Sequence, residues 1–230
     1  MPPLKAIEPD VLRRYVAEDA IDRLQSYFGS GRFTGGCFER FDGGGDREDV
    51  ADRFTSADIV AVSMLSVRIP GRASLQLLDQ RNDEFNELLA EVPRNVDLWD
   101  ADRSMIDESS PASALWQAVQ DLPGSGWVTA GKLVARKRPR LLPVYDRVVR
   151  DALGRKPGEG WWVPLQDALK TNSDIVESLR SLRSGLASGT TYRSCASSTS
   201  PSGWRTRACP SPPERRDLSH IEPRLPSLSA

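Results

Sequence analysis

Histidine is nearly absent from this 230-residue chain, its single copy, His220, lying close to the C-terminal end. The body of the protein therefore holds no Ser-His or Cys-His pair and no imidazole metal ligand, which excludes whole classes of hydrolase and metalloenzyme. Cysteine is almost as scarce: Cys37, Cys195 and Cys209 are odd in number and scattered, so they form no disulfide framework. No apolar run approaches the roughly 20 residues that span a bilayer. The N-terminus lacks a charged-then-apolar leader, and the cytoplasm is the expected compartment. A charge excess is missing too, with 31 Lys and Arg against 32 Asp and Glu, so there is no global nucleic-acid signature.

What is present is ordinary and sufficient. A 39% hydrophobic content supports a core, and the length suits one globular domain with an appendage. The positive charge is local rather than global. Lys132, Arg136, Lys137, Arg138 and Arg140 crowd one segment, with Arg147, Arg150, Arg155 and Lys156 soon after. Such a patch either meets phosphates in a salt-dependent way or forms a solvated helix face.

That patch belongs to the most informative stretch, LPGSGWVTAGKLVARKRPRLLPVYDRVVRDAL over 122–153. Pro123, Gly124 and Gly126 permit a tight turn, and Ala130, Leu133 and Val134 then follow helical spacing. The turn places backbone N–H groups at a helix N-terminus, where they suit a phosphate without reading bases. Asp146, just before a second helix, reads either as its N-cap or as a functional carboxylate.

Upstream, Val11, Leu12, Tyr15, Val16, Ile21, Leu24 and Phe28 predict one helix over 8–28. The glycine-rich stretch from Gly29 to Asp46 lacks the Gly-Lys-Ser/Thr ending of a phosphate loop and reads as a loop or short hairpin pinned by Phe33, Phe38 and Phe41. Thr55 and Asp58 form a capping-box pattern ahead of ADIVAVSMLSV, whose apolar residues on every side predict the buried central helix. Pro70 and Gly71 end it, and Arg68 and Arg72 flank that break, placed to face a ligand or simply solvent. Ser110 with Pro111 starts another helix. Trp161 and Trp162 open an amphipathic one; their rings suit either base stacking or core packing. Ile175, Val176, Leu179 and Leu182 mark the last helix.

The pattern LPG.G..TAG, followed by P..D.VVR..L, resembles the helix-hairpin-helix core of base-excision DNA glycosylases, most nearly the adenine-mismatch branch. The resemblance implies that Leu122, Pro123, Gly124, Gly126, Thr129 and Ala130 grip a DNA backbone, and that Asp146 supports departure of a base. A carboxylate suits that chemistry because positive charge builds on the sugar as the bond breaks. The position of the Schiff-base lysine is Val128, which disfavours lyase activity, and the cysteines cannot build the iron-sulfur cluster of such enzymes. A broader likeness, carried by KLVARKRPRLLPVYDRVV with GRFTGGCFERF and TSADIVAVSMLSVRIPGRA, is to an uncharacterised family of high-GC bacteria and covers most of 20–183.

Composition shifts at about Ser184 to Ser, Arg, Pro and Thr without periodicity, which reads as a disordered tail. An out-of-frame origin explains it as well. Residues 190–207 can be back-translated so that dropping two bases yields Asp-Val-Ser-Leu-Leu-Arg-Val-Leu-Asp-Val-Ala-Leu-Trp-Met-Ala-Asn-Ala, an amphipathic helix.

The expectation is thus a mainly α-helical domain over 1–184, with a helix-hairpin-helix glycosylase-like core at 115–154 and a disordered, out-of-frame tail at 185–230. Its expected role is DNA-backbone binding through Gly124, Gly126, Thr129, Lys132, Arg136, Lys137, Arg138 and Arg140, with no metal, cofactor or membrane. The alternatives are a monofunctional glycosylase acting through Asp146 and a non-catalytic structural or protein-interaction domain.

Overall fold

The computed structural model describes residues 5–29 and 33–189. Among these there are ten α-helices and no strand, so the mainly helical expectation holds. Helices α1 (Pro9–Tyr15) and α2 (Ala20–Gly29) replace the single predicted helix. None of α1 is buried, whereas Ala20 is; the break redirects the chain so that α2 can enter the core.

Helix α3 (Ser56–Ser63) begins with the expected capping box: the Thr55 backbone N–H donates to Asp58 Oδ2 at 2.8 Å. It is not the central helix. Only Asp58, Ala61 and Val62 are buried along it, and Val60 is exposed. Two turns cannot present apolar residues to the core all round, so the uniform hydropathy of the stretch misleads. Helix α4 (Gly71–Leu75) continues as a π-turn over Gln76–Gln80 and leads into α5 (Asn82–Glu91).

The centre is α7 (Trp127–Lys137), in which every residue from Thr129 onward is buried. It packs against α6 (Pro111–Gln120) and α3, and α6 packs in turn against α5. Ser110 caps α6 as expected, its side chain accepting from Ser113 N at 3.1 Å. Helices α8 (Arg147–Ala152), α9 (Trp162–Thr171) and α10 (Ser173–Gly189) complete the domain, α10 lying against α2 and α9. Helix α10 continues through Ser184 to Gly189; the tail reading for 190–230 lies outside the described residues.

Candidate functional site

The turn between α6 and α7 has the geometry its glycines suggest. Gly124 sits at φ +73°, a region that L side chains rarely adopt. A Cβ there would lie 2.9 Å from Pro70 Cγ, so the turn is pressed against the Pro70–Gly71 break that starts α4. Gly126 is extended at the N-cap and offers no side chain, which leaves the first-turn N–H groups of α7 without a side-chain cap. The Thr129 side chain, in the same first turn, is buried.

The basic residues after the turn are placed inward. Lys132, Arg136, Lys137 and Arg138 are all buried. Arg136 Nε lies 3.2 Å from Asp58 Oδ1, and its remaining nitrogens donate to the Phe38 and Phe41 carbonyls. Lys137 Nζ lies 2.6 Å from Asp58 Oδ2 and donates to Gly45 O and Val50 O. Arg138 donates to the carbonyls of Val92, Ala51 and Leu89 and to Asp52 Oδ1. Burial pushes the Lys137 ammonium down, and Asp58 pulls it back up. Contact with an external phosphate, expected of these residues from their charge, does not fit this placement, because their donors are spent inside the fold. Arg140 is exposed but grips Asp97 with Nε at 2.9 Å and Nη2 at 2.8 Å.

This arrangement also explains the glycine-rich loop. Its carbonyls, from Phe38 to Ala51, form a cradle for three consecutive cations at the C-terminal end of α7, where the helix dipole also favours positive charge. Gly45 must approach closely: a Cβ there would meet Arg136 O at 2.6 Å and Asp58 Oδ1 at 2.9 Å. The loop's carbonyls thus hold the protein's own cations.

The outward cations lie elsewhere. Arg68 and Arg72 flank the Pro70 turn that touches Gly124; both are exposed, and neither has an ion-pair partner among the described residues. Arg147, at the start of α8, shares those properties.

Asp146 is the N-cap of α8. Its Oδ1 accepts from Val149 N at 3.1 Å, while Oδ2 lies 3.6 Å from Lys132 Nζ, which itself donates to Leu65 O at 2.9 Å. Both carboxylate oxygens are thereby engaged. Next to it in sequence, Tyr145 is buried, and its carbonyl packs on α7 at Gly131, where a Cβ would come within 3.0 Å.

Beside this junction lies a cleft of about 530 Å³, within the roughly 300–1,000 Å³ typical of ligand sites. Its walls are aromatic: Trp116 of α6, Trp127 of α7, Tyr145, and Trp161 and Trp162 at the start of α9. Tyr145 stacks on Trp161 with centroids 4.3 Å apart and planes 8° from parallel, and Trp127 stands 5.5 Å from Tyr145. The Arg150 guanidinium lies 5.6 Å over Trp127 and is held by Asp151 Oδ1. Glu108 and Glu159 also border the cleft. Buried Arg155 ties the bordering loop down by donating to Gly160 O and Lys5 O. Tyr145 Oη and Trp162 Nε1 are buried without any hydrogen-bond partner.

Residues 11–192 match the protein family described as "Family of unknown function (DUF6308)". The chain belongs to that family. No curated protein and no solved structure matches it. Among the described residues of this DUF6308 chain no group of His, Cys, Asp and Glu is arranged to hold a metal, and no helix is long and apolar enough to cross a membrane.

Sequence reasoning about this DUF6308 chain missed Arg150, Glu108, Glu159 and Trp116 as parts of one cleft. They lie on four separate segments with no shared motif, and only the packing of α6 to α9 brings them together. A signal did exist at Trp161 and Trp162, two adjacent large aromatics at a helix start. They pack against the core and line the cleft at once.

Proposed function

We propose that this domain binds DNA along the phosphate backbone through the α6–α7 turn, as a non-catalytic helix-hairpin-helix module. The observation that carries the reading is the meeting of two turns: Gly124 abuts Pro70, and the exposed, unpartnered Arg68 and Arg72 flank Pro70 in the chain. Uncapped N–H groups and nearby guanidinium groups together suit phosphate oxygens, and neither reads sequence. In this reading Gly124 and Gly126 shape the turn that meets the phosphates. The cations shift from the buried segment 132–138 to Arg68 and Arg72.

Base removal by Asp146 is the less favoured reading. A carboxylate that stabilises a sugar cation must face it, and here one oxygen caps α8 while the other faces Lys132. The test is binding of a labelled 20-mer duplex by the full chain at low and at moderate salt. Salt-sensitive binding without base release supports the module. Absence of binding by a folded protein leaves a structural or protein-interaction domain, and base release that is lost in Asp146→Asn establishes the enzyme.

A further inference from the structure

The aromatic cleft is larger and chemically more specific than backbone binding requires. Five aromatic rings from four segments surround it, and two of them carry a buried polar atom with no partner, Tyr145 Oη and Trp162 Nε1. Buried polar groups in folded proteins are normally satisfied by the chain, by water or by a ligand, and both of these residues line the one cleft. The indole N–H is a donor only. Burial pushes the Tyr145 phenol up, so that it too remains protonated and able to donate at neutral pH.

The shape of the cleft narrows the ligand further. Tyr145 and Trp161 already stack on each other at 4.3 Å, leaving no room for a ring between them. Trp116 and Trp127 are only half-buried; Arg150 already lies over Trp127, so a ring stacks there on the face that Arg150 leaves. Glu108 and Glu159 stand at the border with Arg150, which Asp151 already holds, so the cleft has no cluster of free cations for a phosphate and suits the ring rather than its anionic attachment. Neither orphan donor is open to water, so a ring that accepts from them enters only with a local shift of the side chains that cover them.

We propose that the cleft binds one flat heteroaromatic ring that offers hydrogen-bond acceptors, stacked on Trp127 and accepting from Tyr145 and Trp162. This is the chemistry of an oxo-nucleobase, supplied either by a free nucleoside or by an unpaired base of a strand. The site does not depend on the backbone contacts proposed for Arg68 and Arg72.

Calorimetric titration of the full chain separates the sources, with guanosine and uridine as free ligands, a ten-residue oligothymidylate as the strand, and the same backbone with abasic sites as control. Heat with the nucleosides assigns the free ligand; heat with the oligothymidylate but neither the nucleosides nor the abasic strand assigns the strand base. Trp127→Ala is expected to weaken that binding about five- to a hundredfold through lost stacking, and Tyr145→Phe about fivefold through a lost hydrogen bond. Arg68→Ala with Arg72→Ala leaves nucleoside binding unchanged even where it abolishes duplex binding, which keeps this site distinct from the backbone reading. Absence of base-dependent heat from a cooperatively folding protein, or base-dependent binding that both Trp127→Ala and Tyr145→Phe leave unchanged, overturns the assignment.

Discussion

Lys137 Nζ lies 2.6 Å from Asp58 Oδ2, and both side chains are almost wholly buried. The contact joins the end of α7 to the start of α3, and the same carboxylate accepts from Arg136 and closes the Thr55 capping box. One buried acid therefore serves two buried cations and a helix start. Removing one member of such a group leaves uncompensated charge inside the protein. Asp58→Asn is expected to lower unfolding free energy by about 3–5 kcal/mol, read by urea denaturation. A loss below about 1 kcal/mol, the scale of exposed pairs, contradicts the buried arrangement.

The same geometry changes the meaning of a charge-reversal experiment. Lys137→Glu with Arg138→Glu, the obvious probe of a basic loop, is expected to unfold the domain rather than to weaken DNA binding selectively. Circular dichroism distinguishes the two results: a native helical spectrum with reduced affinity shows that these residues face outward after all.

Gly45→Ala tests the carbonyl cradle. The new methyl meets the Arg136 backbone and the Asp58 carboxylate at distances no Cβ tolerates, and the overpacking is expected to cost about 1–3 kcal/mol. Gly71→Ala is the matched control, since nothing lies within 4 Å of its Cβ position. Equal denaturation midpoints for the two variants rule out the close approach at Gly45.

Acid sensitivity is expected at Asp97. Hydrogen bonds from Arg140 and Arg183 hold its carboxyl down at about 2, below the usual 3.8. A carboxyl whose value is lower folded than unfolded adds stability above the unfolded value, and that stability is lost as pH falls through the folded one. The contribution is complete above about pH 5 and gone near pH 2, worth roughly 1–2 kcal/mol after screening of the half-exposed arginines. Asp97→Asn is expected to be less stable than the natural chain at pH 7, with the gap closing toward pH 2. A gap that stays constant across that range shows that the arginines do not shift Asp97.

At Asp146 the cap is the measurable role. Asp146→Ala is expected to cost about 1 kcal/mol, and Asp146→Asn much less because Asn also caps. Equal, large losses from both substitutions point instead to the Lys132 contact as the main contribution.

Local signals were legible wherever neighbours in sequence decide the structure. Ser110 and Pro111, Thr55 and Asp58, and the Gly124 turn each act within a few residues, and each stands as its chemistry suggests. The run Arg136-Lys137-Arg138 misled because its burial depends on partners roughly 45 to 100 residues away, the carbonyls of 38–51 and 89–92 together with Asp58. Charge in a sequence reads as surface unless a distant acid and a set of carbonyls are known to wait for it. The cleft was hidden for the same reason: base stacking was open to Trp161 and Trp162 in the sequence, but nothing there sets them beside Trp116, Trp127 and Tyr145.

The measurement closest to the proposed function is the slope of log affinity for duplex DNA against log salt, taken for the natural chain and for Arg68→Ala with Arg72→Ala. Each phosphate contact contributes about 0.9 to that slope, so the double variant is expected to bind more weakly, with a slope shallower by about 1.8, while its fold and thermal midpoint stay unchanged. An unchanged slope and affinity in the folded double variant would contradict the placement of the phosphate contact at the meeting of the Gly124 and Pro70 turns.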